Sequence, residues 1–150
     1  MTLHFEDFRP GDTFDLGTAE VDEAEMLAFA RRFDPQPFHL DAAAAARSPY
    51  GGIIASGWFT MAIFMRLYVD RVLANSTSQG SPGLSELRWL APVRAGDVLT
   101  GRLSVVEATP SATRPGRGTV VLRGELLRDA EPVMRSTFRG LFGRREAAAG

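Results

Sequence analysis

The chain contains no cysteine and only two histidines among its 150 residues. Without cysteine it has no disulfide, no thiolate metal site and no cysteine nucleophile. Two histidines are too few for the common histidine-rich metal sites, so we expect neither a metal nor a cofactor. His4 lies near an N terminus that we expect to be mobile. An imidazole that takes part in chemistry is therefore predicted to be His39.

Lysine is also absent, and all seventeen cations are arginine, with a formal net charge of −1. Neither the charge nor the aromatic spacing builds a nucleic-acid surface, so no nucleic-acid partner is expected. Arginines can hold phosphate groups through bidentate hydrogen bonds. Arg88, Arg94 and Arg102 can be interpreted either as contacts to a nucleotide or as solvated strand residues, and the sequence leaves both interpretations open.

Long apolar runs are scarce. The most apolar segment, residues 58–73, is interrupted by Arg66, Asp70 and Arg71 before it could span a bilayer. The first residues lack a basic stretch followed by an apolar run, so no secretory signal is predicted. We expect a cytoplasmic protein without a membrane partner.

No linker, composition break or internal repeat divides the chain, and 45% hydrophobic residues are enough for one full core. Alternating segments at 98–106, 119–128 and 133–142 predict strands, the last two joined by a hairpin across 129–132. Together with a helix in the apolar segment 58–73, these strands indicate a single α+β domain over residues 1–150. In this domain an antiparallel sheet wraps around a long central helix. The tail from about residue 144 is expected to be flexible. An exposed sheet edge would be covered by a second copy, in a homodimer or higher homo-oligomer.

The segment around His39 is where we expect the chemistry. Asp22 caps a helix that runs to about Phe33, and Pro35 and Pro37 keep residues 34–38 extended or turned. That stiff segment can direct Asp34 and His39 into one space. Alternatively, Asp34 only caps a turn and His39 is an ordinary half-buried histidine.

Gly57 immediately precedes the apolar helix. A glycine there leaves backbone N–H groups unobstructed at the positive end of the helix dipole, which would suit an oxyanion hole. The alternative is that Gly57 only permits tight packing.

Three segments carry a resemblance to a known family. Residues 34–41, 49–57 and 90–97 read DPQPFHLD, PYGGIIASG and LAPVRAGD, and they resemble the MaoC-like dehydratases, which include the (R)-specific enoyl-CoA hydratases and have the hotdog fold. The resemblance implies reversible addition of water to a 2-enoyl thioester of coenzyme A or acyl carrier protein, giving an (R)-3-hydroxyacyl product. It implies Asp34 and His39 as the catalytic pair and the Gly57 N–H as the oxyanion donor.

We further expect the substrate to contact Pro37, Gly52, Ser56 and Trp58. Two positions depart from the family pattern. Gln36 stands where many members have asparagine, and Met65 stands where a subgroup carries a supporting serine eight residues after the helix-start glycine.

Other functions compete with hydration. A hotdog acyl-CoA thioesterase shares the fold, and a noncatalytic acyl-thioester-binding or dimerisation module would explain Met65. A serine hydrolase using Ser56 or Ser48 is disfavoured because the sequence around them lacks the nucleophile elbow and its doubly wound context.

Overall fold

A computed structural model describes residues 1–146. Within these described residues, four α-helices and five strands follow one another in the order β1 (Thr13–Glu20), α1 (Glu23–Phe33), α2 (Pro37–Leu40), α3 (Ala42–Ala46), α4 (Gly57–Arg71), β2 (Leu84–Trp89), β3 (Val98–Pro110), β4 (Arg117–Arg128) and β5 (Glu131–Gly143). Short 3-10 turns lie at Phe5–Asp7 and Leu73–Asn75.

The five strands form one antiparallel sheet in the order β1-β3-β4-β5-β2, and α4 packs against its inner face. The predicted α+β architecture, an antiparallel sheet around a central apolar helix, is confirmed. Helix α4 has 15 residues. No helix within residues 1–146 has the length and apolarity needed to cross a membrane.

The inner face of the sheet is built by alternation along the strands. In β5 the residues Met134, Ser136, Phe138 and Phe142 are buried, as their predicted common face requires. Gly124 of β4 faces the Phe64 ring of α4, and a β-carbon there would overlap that ring. The helix can therefore approach the centre of the sheet closely.

The chain between α1 and α3 differs in part from its prediction. Asp34 (φ −151°, ψ 64°) and Gln36 (φ −78°, ψ 144°) are non-helical, as the following prolines require. Phe38, however, is helical, because Pro37 opens the one-turn helix α2. Proline suits a first helical position since its missing N–H would have no partner there.

The end of the described chain is tied to its beginning. Arg144 and Arg145 form ion pairs with Glu6 and Asp7, at 3.3 and 2.6 Å. The remainder of the tail for which we expected flexibility, residues 147–150, lies outside the described residues.

Candidate active site

Helix α2 and the chain segment at Ile54 hold His39 in place. It lies in α2, it is 4% exposed, and its Nδ1 is 2.8 Å from the carbonyl oxygen of Ile54. A carbonyl oxygen only accepts, so Nδ1 carries the proton of this hydrogen bond. The backbone N–H of Ile54 in turn donates to the Phe38 carbonyl at 3.3 Å. The ring is thus fixed with Nε2 as its free nitrogen.

That free nitrogen faces a carboxylate. His39 Nε2 lies 3.2 Å from Asp34 Oδ2, so the structure brings the two predicted catalytic side chains together. The contact is a hydrogen bond when Nε2 is also protonated, since the carboxylate only accepts. A proton can therefore be exchanged across this pair.

Asp34 also accepts hydrogen bonds on both oxygens. Ser56 Oγ donates to Oδ2 at 2.8 Å and Gln36 Nε2 donates to Oδ1 at 2.7 Å. Burial acts to raise the pKa of Asp34, but the donors Gln36 and Ser56, together with His39, outweigh it, so the pKa lies below its ordinary value. At neutral pH the carboxylate is ionised and is available as a base. Gln36, the departure from the family pattern, thus supports the carboxylate.

Next to Ser56, helix α4 begins at Gly57. Among residues 1–146, the backbone N–H groups of Gly57 and Trp58 donate to no acceptor, and the first N–H bonded at this end is that of Thr60, to the Ser56 carbonyl at 3.1 Å. Gly57 also packs tightly, because a β-carbon there would overlap the indole ring of Trp89. Both interpretations of this glycine, a free donor and a close contact, are compatible with the structure.

These groups surround one cavity of about 420 Å³. Asp34, His39 and Gly57 all line it, and its other walls come mainly from aromatic and apolar side chains. These are Phe38, Tyr50, Ile54, Ala55, Trp58, Trp89, Leu90, Ala91, Pro92 and Val93, joined by the polar Gln36 and Thr60.

Of the four residues expected to contact substrate, Trp58 lines the cavity. Ser56 lies behind it, bonded to Asp34, whereas Pro37 and Gly52 are not among the lining residues. Gly52 instead packs against the Arg94 guanidinium. Their substrate contacts stay predictions.

Met65 does not line the cavity that contains Asp34 and His39. It is 43% exposed and lines a second, apolar cavity of about 280 Å³ that shares no lining residue with the first. The hydroxyl that supports Asp34 in this chain is therefore that of Ser56.

The three arginines considered for phosphate binding have partners within the chain. Arg88 pairs with Glu86 at 2.9 Å, Arg102 pairs with Glu125 at 2.9 Å, and Arg94 donates to the Tyr50 carbonyl at 2.6 Å. Arg94 lies between β2 and β3 rather than in a strand. It holds the turn that precedes α4.

Trp89 and Thr60 are site residues that the sequence analysis did not identify. Both line the cavity, and Trp89 donates its indole N–H to the Gly57 carbonyl at 2.8 Å. The available signal was position: Trp89 directly precedes the 90–97 segment on which the family resemblance partly rests.

Comparisons with known proteins identify the family of this chain. The MaoC like domain family matches residues 7–124. A 3-hydroxybutyryl-CoA dehydratase of Methylorubrum extorquens is 32% identical over 114 residues, 75% of this chain and 69% of that protein. The uncharacterized protein YdeM of Bacillus subtilis is 28% identical over 120 residues, 80% of this chain and 85% of that protein.

Among solved structures, the MaoC-like dehydratase from Rhodospirillum rubrum superposes with a TM-score of 0.88 at 44% identity, covering 97% of this chain and 99% of that one. The fold is thus the hotdog fold, with a cavity at the start of its central helix that carries a carboxylate and an imidazole. The chain belongs to the MaoC-like dehydratase domain family.

Proposed function

We propose that the protein adds water reversibly to a 2-enoyl thioester, giving an (R)-3-hydroxyacyl thioester. One observation carries the proposal: the ionised Asp34 carboxylate lies 3.2 Å from the fixed His39 ring, in a cavity that also contains the unpartnered Gly57 N–H. The (R) configuration and the thioester substrate come from the family resemblance.

Each group has one task in this reaction. Asp34 and His39 hold a water between them and take a proton from it as its oxygen bonds to C3. The π electrons of the C2–C3 bond move toward the thioester carbonyl, whose oxygen accepts a hydrogen bond from the Gly57 N–H. The proton held by the pair then passes to C2, so that one water is added and the pair is restored. No metal takes part in this scheme.

Product analysis tests the proposal against the thioesterase alternative. Incubation with a series of 2-enoyl-CoA substrates is expected to remove the ultraviolet absorbance of the conjugated thioester without releasing a free thiol. Thiol release in step with substrate loss would instead identify a thioesterase. Binding of enoyl-CoA without either change would identify a noncatalytic module.

We also propose that the protein forms a homodimer through the β2 edge. In the part of the chain that the structure describes, strand β2 pairs with β5 alone, and five large apolar side chains on or near β2 are more than 40% exposed: Trp58, Met65, Leu84, Trp89 and Leu90. A surface of this kind is typical of protein interfaces. Light scattering is expected to give twice the chain mass of 16.3 kDa. A monomer mass that does not change with concentration would contradict the dimer.

A further inference from the structure

Trp89 contacts Gly57 in two ways. Its indole Nε1–H donates to the Gly57 carbonyl oxygen at 2.8 Å. Its ring also covers the Gly57 Cα so closely that a β-carbon would overlap ring atoms, among them Cε2 and Nε1. The ring comes from β2, where Trp89 is paired in register with the buried Met134 of β5. The edge strand of the sheet thereby holds the first residue of α4.

These contacts fix the direction of the free N–H groups. The Gly57 carbonyl and the Trp58 N–H belong to one planar peptide, so a donor that holds the carbonyl also orients that N–H. Packing of the Trp89 ring on the Gly57 Cα restricts rotation about the two backbone bonds of Gly57. This restriction is useful because glycine has more backbone freedom than any other residue type. A donor on the carbonyl also polarises the peptide and makes the Trp58 N–H a stronger donor.

The surroundings of Trp89 distinguish this role from ordinary core packing. The side chain is 43% exposed and lines the 420 Å³ cavity, and Trp58 meets it edge-on with ring centroids 5.2 Å apart. A phenylalanine would supply the same apolar wall but could not donate to the carbonyl. The N–H is therefore the feature that a packing role does not need.

We propose that Trp89 is a positioning residue for the oxyanion donors. It holds the Gly57–Trp58 peptide so that the backbone N–H groups of Gly57 and Trp58 point at the thioester oxygen. This inference rests on the proposed hydratase function. It concerns a residue that does not itself exchange protons with the substrate.

The first test needs no substrate. Trp58 and Trp89 are the only tryptophans in the chain, so protein labelled with ¹⁵N-tryptophan gives one indole and one backbone amide signal for each. In W89F only Trp58 remains, and its backbone amide proton is expected to move upfield because its peptide has lost the indole donor on the carbonyl and keeps only the helical Met61 N–H. An unchanged Trp58 amide would overturn the proposal, whether or not the protein proves to be a hydratase.

The second test measures polarisation of the bound thioester. In an Asp34→Asn background, which is expected to bind without turnover, a 2,4-dienoyl-CoA should absorb at longer wavelength than in solution because the oxyanion donors polarise its carbonyl. Addition of W89F is expected to remove at least half of that shift. W58F alters the same cavity wall without a contact to the Gly57 carbonyl, so it should change the affinity and keep the shift.

Turnover completes the test. In the otherwise native protein, W89F is expected to lower kcat roughly tenfold with KM changed less than threefold, since the lost interaction acts in the transition state. A W89F enzyme with native kcat and a full spectral shift would show that Trp89 lines the cavity without positioning the oxyanion donors. If native protein neither turns over nor binds any enoyl thioester, the proposed function fails, and the amide signal alone decides whether Trp89 orients the peptide.

Discussion

At the scale of single residues, Ser56 connects the two halves of the candidate site. Its hydroxyl donates to Asp34 Oδ2 at 2.8 Å, and the next residue is Gly57, the candidate oxyanion donor. The prolines around Asp34 made its proximity to His39 predictable from the sequence. The Ser56 bond was not predictable, because it joins residues 22 positions apart and depends on how the chain returns past α2.

Ser56→Ala is expected to shift the acid limb of the kcat/KM profile to higher pH. A donor to the carboxylate lowers the pKa of Asp34, so its removal raises that pKa and protonates the base at a higher pH. At neutral pH, where the carboxylate stays ionised, the loss should be roughly 10- to 100-fold, since one hydrogen bond to a charged group contributes about 1.5–3 kcal/mol. The measurement is a pH profile with a 2-enoyl-CoA substrate.

Ser48→Ala provides the matched control for this experiment. The Ser48 hydroxyl donates to the Ala45 carbonyl at 2.6 Å and does not contact Asp34. Its profile should keep the native acid limb. If both alanine variants shift alike, or neither shifts, Ser56 does not act through the carboxylate.

At the scale of elements, the strands and helices that could be predicted are those whose sequence shows a clear alternation or a helix cap. The regions of β3, β4 and β5 alternate clearly, and the α1 helix carries a cap at Asp22 that accepts from the Glu25 N–H at 2.9 Å. Strand β2 was not identified because five of its six residues are exposed, which leaves no alternation to detect. Strand β1 has a bulge in its pairing with β3 between Asp15 and Gly17, which interrupts its period.

The β4–β5 hairpin provides a prediction about stability. The hairpin connection predicted over residues 129–132 is shorter in the structure, because β5 already begins at Glu131. The turn consists of Asp129 and Ala130, with φ of 50° and 66°. These values suit a type I′ turn, which favours glycine at the second position. Ala130→Gly is therefore expected to stabilise the protein by about 0.5–1 kcal/mol, raising Tm by a few degrees.

The same substitution at an exposed helical position should have the opposite sign. Ala28 lies in the interior of α1, where glycine costs roughly 1 kcal/mol. Thermal unfolding of A130G and A28G measures both. A destabilised A130G would show that the left-handed turn at Ala130 is wrong.

At the scale of the whole molecule, a row of charges crosses the outer face of the sheet. Glu125 of β4, 7% exposed, lies between Arg102 of β3 at 2.9 Å and Arg135 of β5 at 3.1 Å. Burial acts to raise the pKa of Glu125, but both guanidinium groups oppose it and hold the pKa below its ordinary value. The sequence did not indicate this row, since pairing across three strands depends on register.

Glu125→Gln is expected to destabilise the protein at neutral pH by about 1–3 kcal/mol, since it leaves two arginines without their shared carboxylate. Because the folded pKa of Glu125 lies below its ordinary value of 4.5, the stabilisation from Glu125 is fully present above pH 4.5 and is lost as pH falls through the folded pKa. The difference between native protein and variant should therefore shrink in acid. Urea unfolding at pH 7 and below pH 4 measures it.

Glu86→Gln is the control for this prediction. Glu86 pairs with Arg88 at 2.9 Å, but both side chains are largely exposed, so the change should have little effect at either pH. Equal effects of the two variants would indicate that burial of Glu125 does not strengthen its ion pairs.

The measurement that tests the central claim most directly compares native protein with Asp34→Asn on the same series of 2-enoyl-CoA thioesters. The substitution keeps the size of the side chain and removes its capacity as a base. We expect native turnover with an (R)-3-hydroxyacyl product, and a loss of roughly 10²- to 10⁴-fold in kcat for the variant with binding retained. Hydration by the variant at the native rate would contradict the assignment of Asp34 and, with it, the account of the site.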